Sequence, residues 1–147
     1  MPIPKTLYVL ADGARARLVE RSPQTGHFVT FVEIDARERL DQLRRELRAS
    51  PAVRNRQSGT SQRHTVGRED FFRQSKEAFI AEVVDRAVDV ARERDFQSIF
   101  VAAPARLIGP IRERIAGRAT LAGVLERDLT KSPDAALPKW LDHVFSA

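Results

Sequence analysis

Seven arginines, Arg44, Arg45, Arg48, Arg54, Arg56, Arg63 and Arg68, fall between positions 44 and 68 with a single acid, Glu46, among them. That segment carries +6 while the whole 147-residue chain carries +5, so the remainder is close to neutral at −1. Basicity is therefore one local feature. Concentrated arginine favours polyanions, because the guanidinium fork meets phosphate in a planar, bidentate way that lysine cannot reproduce. Arg54, Arg56, Arg63, His64 and Arg68 are the candidate anion- or nucleic-acid-binding residues of this stretch, and the same composition also suits a solvated loop. Gln62 and His64 are the candidates for positioning a water. Only Phe71 and Phe72 supply aromatic rings nearby, and a helical apolar stripe claims Phe72, so contacts to a nucleic-acid backbone rather than base stacking are expected.

Other chemistry is thin. The chain has no Cys, which excludes disulfides, thiolate metal sites and a thiol nucleophile. His27, His64 and His143 show no metal-ligand spacing, Gly59-Thr60-Ser61-Gln62 is followed by no Gly-Lys-Ser/Thr, and there is no Gly-x-Ser-x-Gly elbow. No metal and no cofactor is expected. No window approaches the roughly 18 apolar residues of a membrane span. Met1-Pro2-Ile3-Pro4-Lys5 lacks the regions of a secretory signal, so the expected compartment is the cytoplasm, with no membrane partner.

The elements that must position these residues follow from periodicity. Thr6 to Ala11 is a short apolar run stopped by Asp12-Gly13, the signature of a type I′ hairpin turn with positive φ at both positions. Ala14 to Glu20 alternates small or apolar with charged residues, as a strand with one wet face does. Ser22-Pro23-Gln24-Thr25-Gly26 breaks the chain before a third strand over Phe28 to Ile34. Leu40, Leu43 and Leu47 mark a short amphipathic helix over Ala36 to Ala49.

Positions 50–67 show no usable periodicity and read as a long basic loop. Thr65 then caps a long helix reaching Arg94, with Glu69 and Asp70 at its positive end and Phe72, Phe79, Ile80, Val83, Val84, Ala87, Val88 and Ala91 on its apolar stripe. Ser98 to Ala103 is a buried strand ended by Pro104. Arg106 to Ala116 is a helix that Pro110 splits or restarts and Gly117 closes. A strand lies within Leu121 to Leu129, and Ser132-Pro133 and Pro138 introduce short helical turns, the last with Trp140, Leu141, Val144 and Phe145.

The order βββαβαβα over one domain, 1–147, is that of a ribonuclease H-like α/β fold: three antiparallel strands, then two strands parallel to a central first strand, with flanking helices. In it strands one, three, four and five end on one edge, where ligand crevices of open α/β sheets lie. Asp12, Arg106, Asp128, Thr130 and Lys131 all land there, two carboxylates among cations, and Arg106 joins the candidate anion- or nucleic-acid-binding residues. A two-metal nuclease needs three acidic positions from strand one, the long helix and the end of strand four. Asp12 suits the first and Glu69, Asp70 or Glu77 the second, but strand four ends in Ala102-Ala103-Pro104, and Asp128 on the neighbouring strand is a poor substitute.

Three stretches in order, Leu10-Ala11-Asp12-Gly13-Ala14-Arg15-Ala16-Arg17, Ala102-Ala103-Pro104-Ala105-Arg106-Leu107-Ile108-Gly109 and Glu126-Arg127-Asp128-Leu129-Thr130-Lys131-Ser132-Pro133, resemble the bacterial host attachment protein family. That family is grouped with bacterial relatives of the archaeo-eukaryotic release factors. The resemblance implies the release-factor middle domain, itself ribonuclease H-like, with a ribosome or tRNA as the expected partner. In release factors a Gly-Gly-Gln loop precedes the long helix. The matching stretch here, Gly59-Thr60-Ser61-Gln62-Arg63-His64, has the Gln without the Gly-Gly pair, so peptide release of that kind is not implied. The family name implies a role in attachment to host cells, which a protein–protein module acting indirectly would also serve. A hydrolase at the carboxyl edge, acting on a peptidyl-tRNA-like ester, is the third reading. Oligomeric state is left open.

Overall fold

The computed structural model describes residues 5–49 and 60–142. Its strands are β1 (Thr6–Ala11), β2 (Arg15–Arg21), β3 (Phe28–Asp35), β4 (Ser98–Ala103) and β5 (Leu121–Glu126). The helices are α1 (Arg37–Ala49), α2 (Thr60–Glu93), α3 (Ala105–Ile115) and α4 (Pro138–Leu141), with a 3-10 turn over Asp134–Ala136. One five-stranded sheet runs β3-β2-β1-β4-β5. β1 is antiparallel to β2 and β2 to β3, while β4 is parallel to β1 and β5 to β4. This is the mixed sheet and the central first strand expected from the element order.

Every residue of β1 is buried, because both faces of the sheet are covered. Alternation sends Leu7, Val9 and Ala11 to the face under α2 and α3, and Tyr8 and Leu10 to the other. The second face packs against Leu129, Leu137 and Leu141, which the chain delivers after β5. The expected wet face of β2 is thus a correction. Arg15 and Arg17 share the face of Val19, and the chain after β5 closes over it.

Arg17 is the polar counterpart of that closure, its side chain only 11% exposed. Nη1 donates to the carbonyls of Leu129 (3.1 Å), Thr130 (3.2 Å) and Ser132. Nη2 meets Thr30 Oγ1 at 3.0 Å and Asp134 Oδ1 at 2.6 Å. Asp134 in turn accepts from the Thr30 backbone N–H at 3.0 Å, beside the irregularity where β3 slips a register step against Leu18 and Val19. Burial works to raise the Asp134 carboxyl's pKa, but the Thr30 hydroxyl and amide and the Arg17 guanidinium outweigh it and hold it below its ordinary value.

Three other local expectations are corrected. The first turn is not type I′: among the described residues only Gly26, Gly117 and Asp95 have positive φ. Asp12 N donates to Arg15 O at 2.8 Å, and the Asp12 side chain shapes the turn instead, as described below. Pro110 does not split α3, whose Ile108, Ile111 and Ile115 keep one buried face along its length. The strand expected within Leu121 to Leu129 is β5, Leu121–Glu126. The helix α2 begins at Thr60, so positions 60–67 of the expected loop are helical backbone and Thr65 lies inside the helix; positions 50–59 lie outside the described residues. Gln62, Arg63 and His64 are good or tolerable helix formers. The loop reading rested on the absence of hydrophobic periodicity, and positions 60–67 hold only one large apolar residue, Val66, to set it.

The length of α2 has a spatial consequence. Its 34 residues span about 51 Å, while a six-residue strand spans about 20 Å. Its C-terminal end is fixed to the sheet: Asp95 takes φ 58° as the left-handed cap, Phe96 N donates to Ala91 O at 2.9 Å, and β4 follows. Among the residues whose burial is described, its buried positions begin at Phe79. The excess length therefore overhangs the carboxyl edge of the sheet.

Candidate functional site

The carboxyl edge is built around the turn between β1 and β2. Asp12 Oδ1 accepts from Ala14 N at 2.7 Å and from Arg15 N at 2.6 Å, a closed turn held by one carboxylate oxygen. The second oxygen, Oδ2, faces Thr130 Oγ1 at 3.1 Å and Arg15 Nη2 at 3.6 Å. Thr130 is 7% exposed and stands on the chain just after β5. Its hydroxyl lies 2.6 Å from Asp128 Oδ1, which also accepts from the Thr130 backbone N–H at 2.9 Å.

One hydroxyl therefore stands between two carboxylates, and it has one proton to donate. Arg15 Nη2, at 3.4 Å, is the donor available to the Thr130 oxygen itself. Arg15 Nε is buried with no hydrogen-bond partner. The guanidinium of Arg106, in the first turn of α3, reaches back over the same turn: its Nη2 stands 3.5 Å from where a Cβ at position 13 would be.

Thr130 is in direct contact with both Asp12 and Asp128, with Arg106 lying against the adjoining turn. Lys131 follows Thr130 and is exposed. Gln62, Arg63, His64 and Arg68 lie in the first turns of α2, on the overhang from this edge, and Arg54 and Arg56 fall outside the described residues. Sequence reading missed Arg15 and Arg17. Their shared parity with Val19 was the signal, but it becomes informative only once the chain after β5 is known to cover that face.

Asp12 is both turn former and site residue, and the two roles separate by substitution. Asp12→Asn keeps an Oδ1 acceptor for both turn amides, so its cost to stability is expected below about 1 kcal/mol, whereas Asp12→Ala leaves two amides unpaired and costs about 2 kcal/mol. Urea denaturation of the two variants checks this. Equal losses would show that the charge on Oδ2, and not the turn, is what the fold needs.

Among the described residues no group of three or more His, Asp or Glu side chains is placed to hold a metal ion, and no helix is long and apolar enough to cross a membrane. The edge can bind and orient through two carboxylates, a hydroxyl and arginine. Among curated proteins none matches the chain. The family model described as "protein required for attachment to host cells" matches residues 7–141, from β1 through α4, and so spans every element of the sheet and both of its covers. By that match the chain belongs to the host-attachment family.

Proposed function

We propose that this member of the host-attachment family is a cytoplasmic, release-factor-like protein that associates with RNA or the ribosome through its basic segment, without Gly-Gly-Gln peptide release. The carrying observation is the separation of charge from body: +6 within positions 44–68 of a chain otherwise at −1, with α2 carrying the later part of that segment beyond the sheet. Arginine gathered in one stretch of an otherwise near-neutral chain favours a polyanion such as a nucleic-acid backbone. The sheet order supports the ribonuclease H-like relation on which the release-factor likeness rests. Gln62 and His64, at the start of α2, are the residues through which a hydrolytic variant of this reading would act.

The test is a salt titration of binding to labelled RNA, comparing the wild type with a variant in which Arg54, Arg56, Arg63 and Arg68 are all Ala. Each phosphate contact on a single strand contributes roughly 0.7 to the slope of log K against log salt, so the variant should lose up to about 3 units of slope and bind weakly at every salt. Equal binding by the two proteins overturns the proposal and leaves the segment as a protein-binding element.

A further inference from the structure

Phe71 on α2 and Val29 on β3 are the large apolar side chains most open to solvent among the described residues, 50% and 43% exposed. Trp140, the one tryptophan of the chain, is half-buried and is covered by charge instead. Leu137 and Leu141, one turn apart and both buried, anchor α4 on the second face of the sheet. Trp140 N donates to Leu137 O at 2.9 Å, and the indole packs at the rim of the same cluster, as Leu125 of β5 does. Arg127 is the first residue beyond β5, and its N–H turns back to Leu125 O at 2.9 Å. Its guanidinium carbon lies 4.0 Å from the centre of the Trp140 ring, and Lys139 Nζ lies 5.1 Å from that ring. The two charges are therefore no more than about 9 Å apart.

Two other arginines lie over rings, Arg21 at 4.6 Å from Phe28 and Arg94 at 4.2 Å from Phe31. Each of them also holds a carboxylate, Asp142 for Arg21 and Glu20, at 2.8 Å, for Arg94. Arg127 differs. Among the described residues neither it nor Lys139 makes an ion pair or a side-chain hydrogen bond, and a second cation stands where the other two stacks have an acid. The acids nearby in sequence are directed elsewhere. Asp128 Oδ1 is taken by Thr130 and Asp142 by Arg21, and strand alternation sends Glu126 to the face opposite Leu125.

We infer that Arg127, Lys139 and Trp140 form a binding site for the terminal phosphate of a nucleotide, carried either by a free mononucleotide or by the end of an RNA. The stack holds the guanidinium flat on the indole and leaves its in-plane N–H donors without an acceptor. An arginine already ordered in this way loses little freedom when an anion arrives. A phosphomonoester carries about −1.5 to −2 at pH 7 and so answers both cations, whereas a carboxylate or a phosphodiester answers one. The ammonium of Lys139 supplies the second contact as a point charge, with no demand on direction. Arg127 is exposed, and a guanidinium plane open to solvent is a surface on which a base stacks, which favours a nucleotide over other phosphomonoesters.

Because the chain has one indole, Trp140 fluorescence reports on the site directly, and calorimetry gives the affinities. The ligands are AMP, adenosine, and one short RNA made with a 5′-phosphate and with a 5′-hydroxyl. The proteins are wild type, Arg127→Ala, Arg127→Lys and Lys139→Ala. AMP or the phosphorylated RNA should change Trp140 emission saturably, and adenosine should not. Arg127→Ala and Lys139→Ala should each weaken binding roughly 10-fold or more, with Arg127→Lys between Arg127→Ala and wild type. A response to AMP alone, or to the phosphorylated RNA alone, upholds the site and tells which molecule carries the phosphate. Adenosine binding as tightly as AMP, with no preference for the phosphorylated RNA, overturns the inference. So does wild-type affinity in both alanine variants, or no response of the wild type to either phosphate ligand. The two RNAs share every internal phosphate, so the difference between them is independent of the basic segment and of the RNA reading above.

Discussion

Arg17→Ala is expected to cost about 3 kcal/mol of stability and to lower the midpoint of thermal unfolding by roughly 10 °C. The residue looks ordinary in sequence, one of several arginines on an alternating strand. In the fold its guanidinium is nearly buried and holds three consecutive-turn carbonyls, a threonine hydroxyl and a carboxylate, all of them on β3 or on the chain after β5. Alanine leaves those carbonyls and Asp134 without their donor, in a place water reaches poorly. Arg17→Lys should recover less than half of the loss, because one ammonium cannot reproduce five donors in a plane.

The same clamp fixes a pH dependence. The folded Asp134 carboxyl titrates below its ordinary 3.8, so it binds protons less readily in the folded than in the unfolded chain. Its contribution is complete above that ordinary value and is lost as pH falls through the folded one. The difference in stability between wild type and Arg17→Ala should therefore narrow below about pH 4. Urea denaturation across pH checks both statements, and a loss below 1 kcal/mol at neutral pH would remove Arg17 from the account of how the second face closes.

The other large effect belongs to α2. Phe79 is 1% exposed, the largest of the fully buried side chains, and sits in the cluster with Leu40, Val83 and the β1 residues Leu7 and Val9. Phe79→Ala should cost about 3–5 kcal/mol, the transfer of the ring plus the cavity it leaves between helix and sheet. Two turns earlier, Phe71→Ala should change stability by less than about 0.5 kcal/mol. That pair of measurements locates where the helix becomes supported. Equal losses at both positions would mean that the overhang is packed, and that Phe71 is a core residue.

The sheet was legible in the sequence because β1 and β4 are short, mostly apolar runs bounded by Asp-Gly and Pro, and because β2 and β3 follow at hairpin distance. The helices α1 and α3 were legible from spaced Leu and Ile. The start of α2 was not, since positions 60–68 hold one large apolar residue, Val66, which sets no apolar period. Of the edge, Asp12, Asp128, Thr130 and Arg106 could be placed by topology alone, each at the end of a strand or the start of a helix. Arg15 and Arg17 could not, because their roles depend on a return of the chain over the sheet that begins more than a hundred residues later. The two short turns at Pro133 and Pro138 were read, but not that they lay Leu137 and Leu141 on the second face.

The central claim is that the basic segment brings this protein to RNA, and co-sedimentation with ribosomes, with free tRNA binding measured alongside, tests it most directly. Purified protein would be spun with ribosomes at low and at high salt, beside the variant lacking Arg54, Arg56, Arg63 and Arg68. The account predicts that wild type pellets at low salt, is released at high salt, and that the variant stays in the supernatant throughout. Wild type remaining in the supernatant at low salt, with no affinity for tRNA, would contradict it.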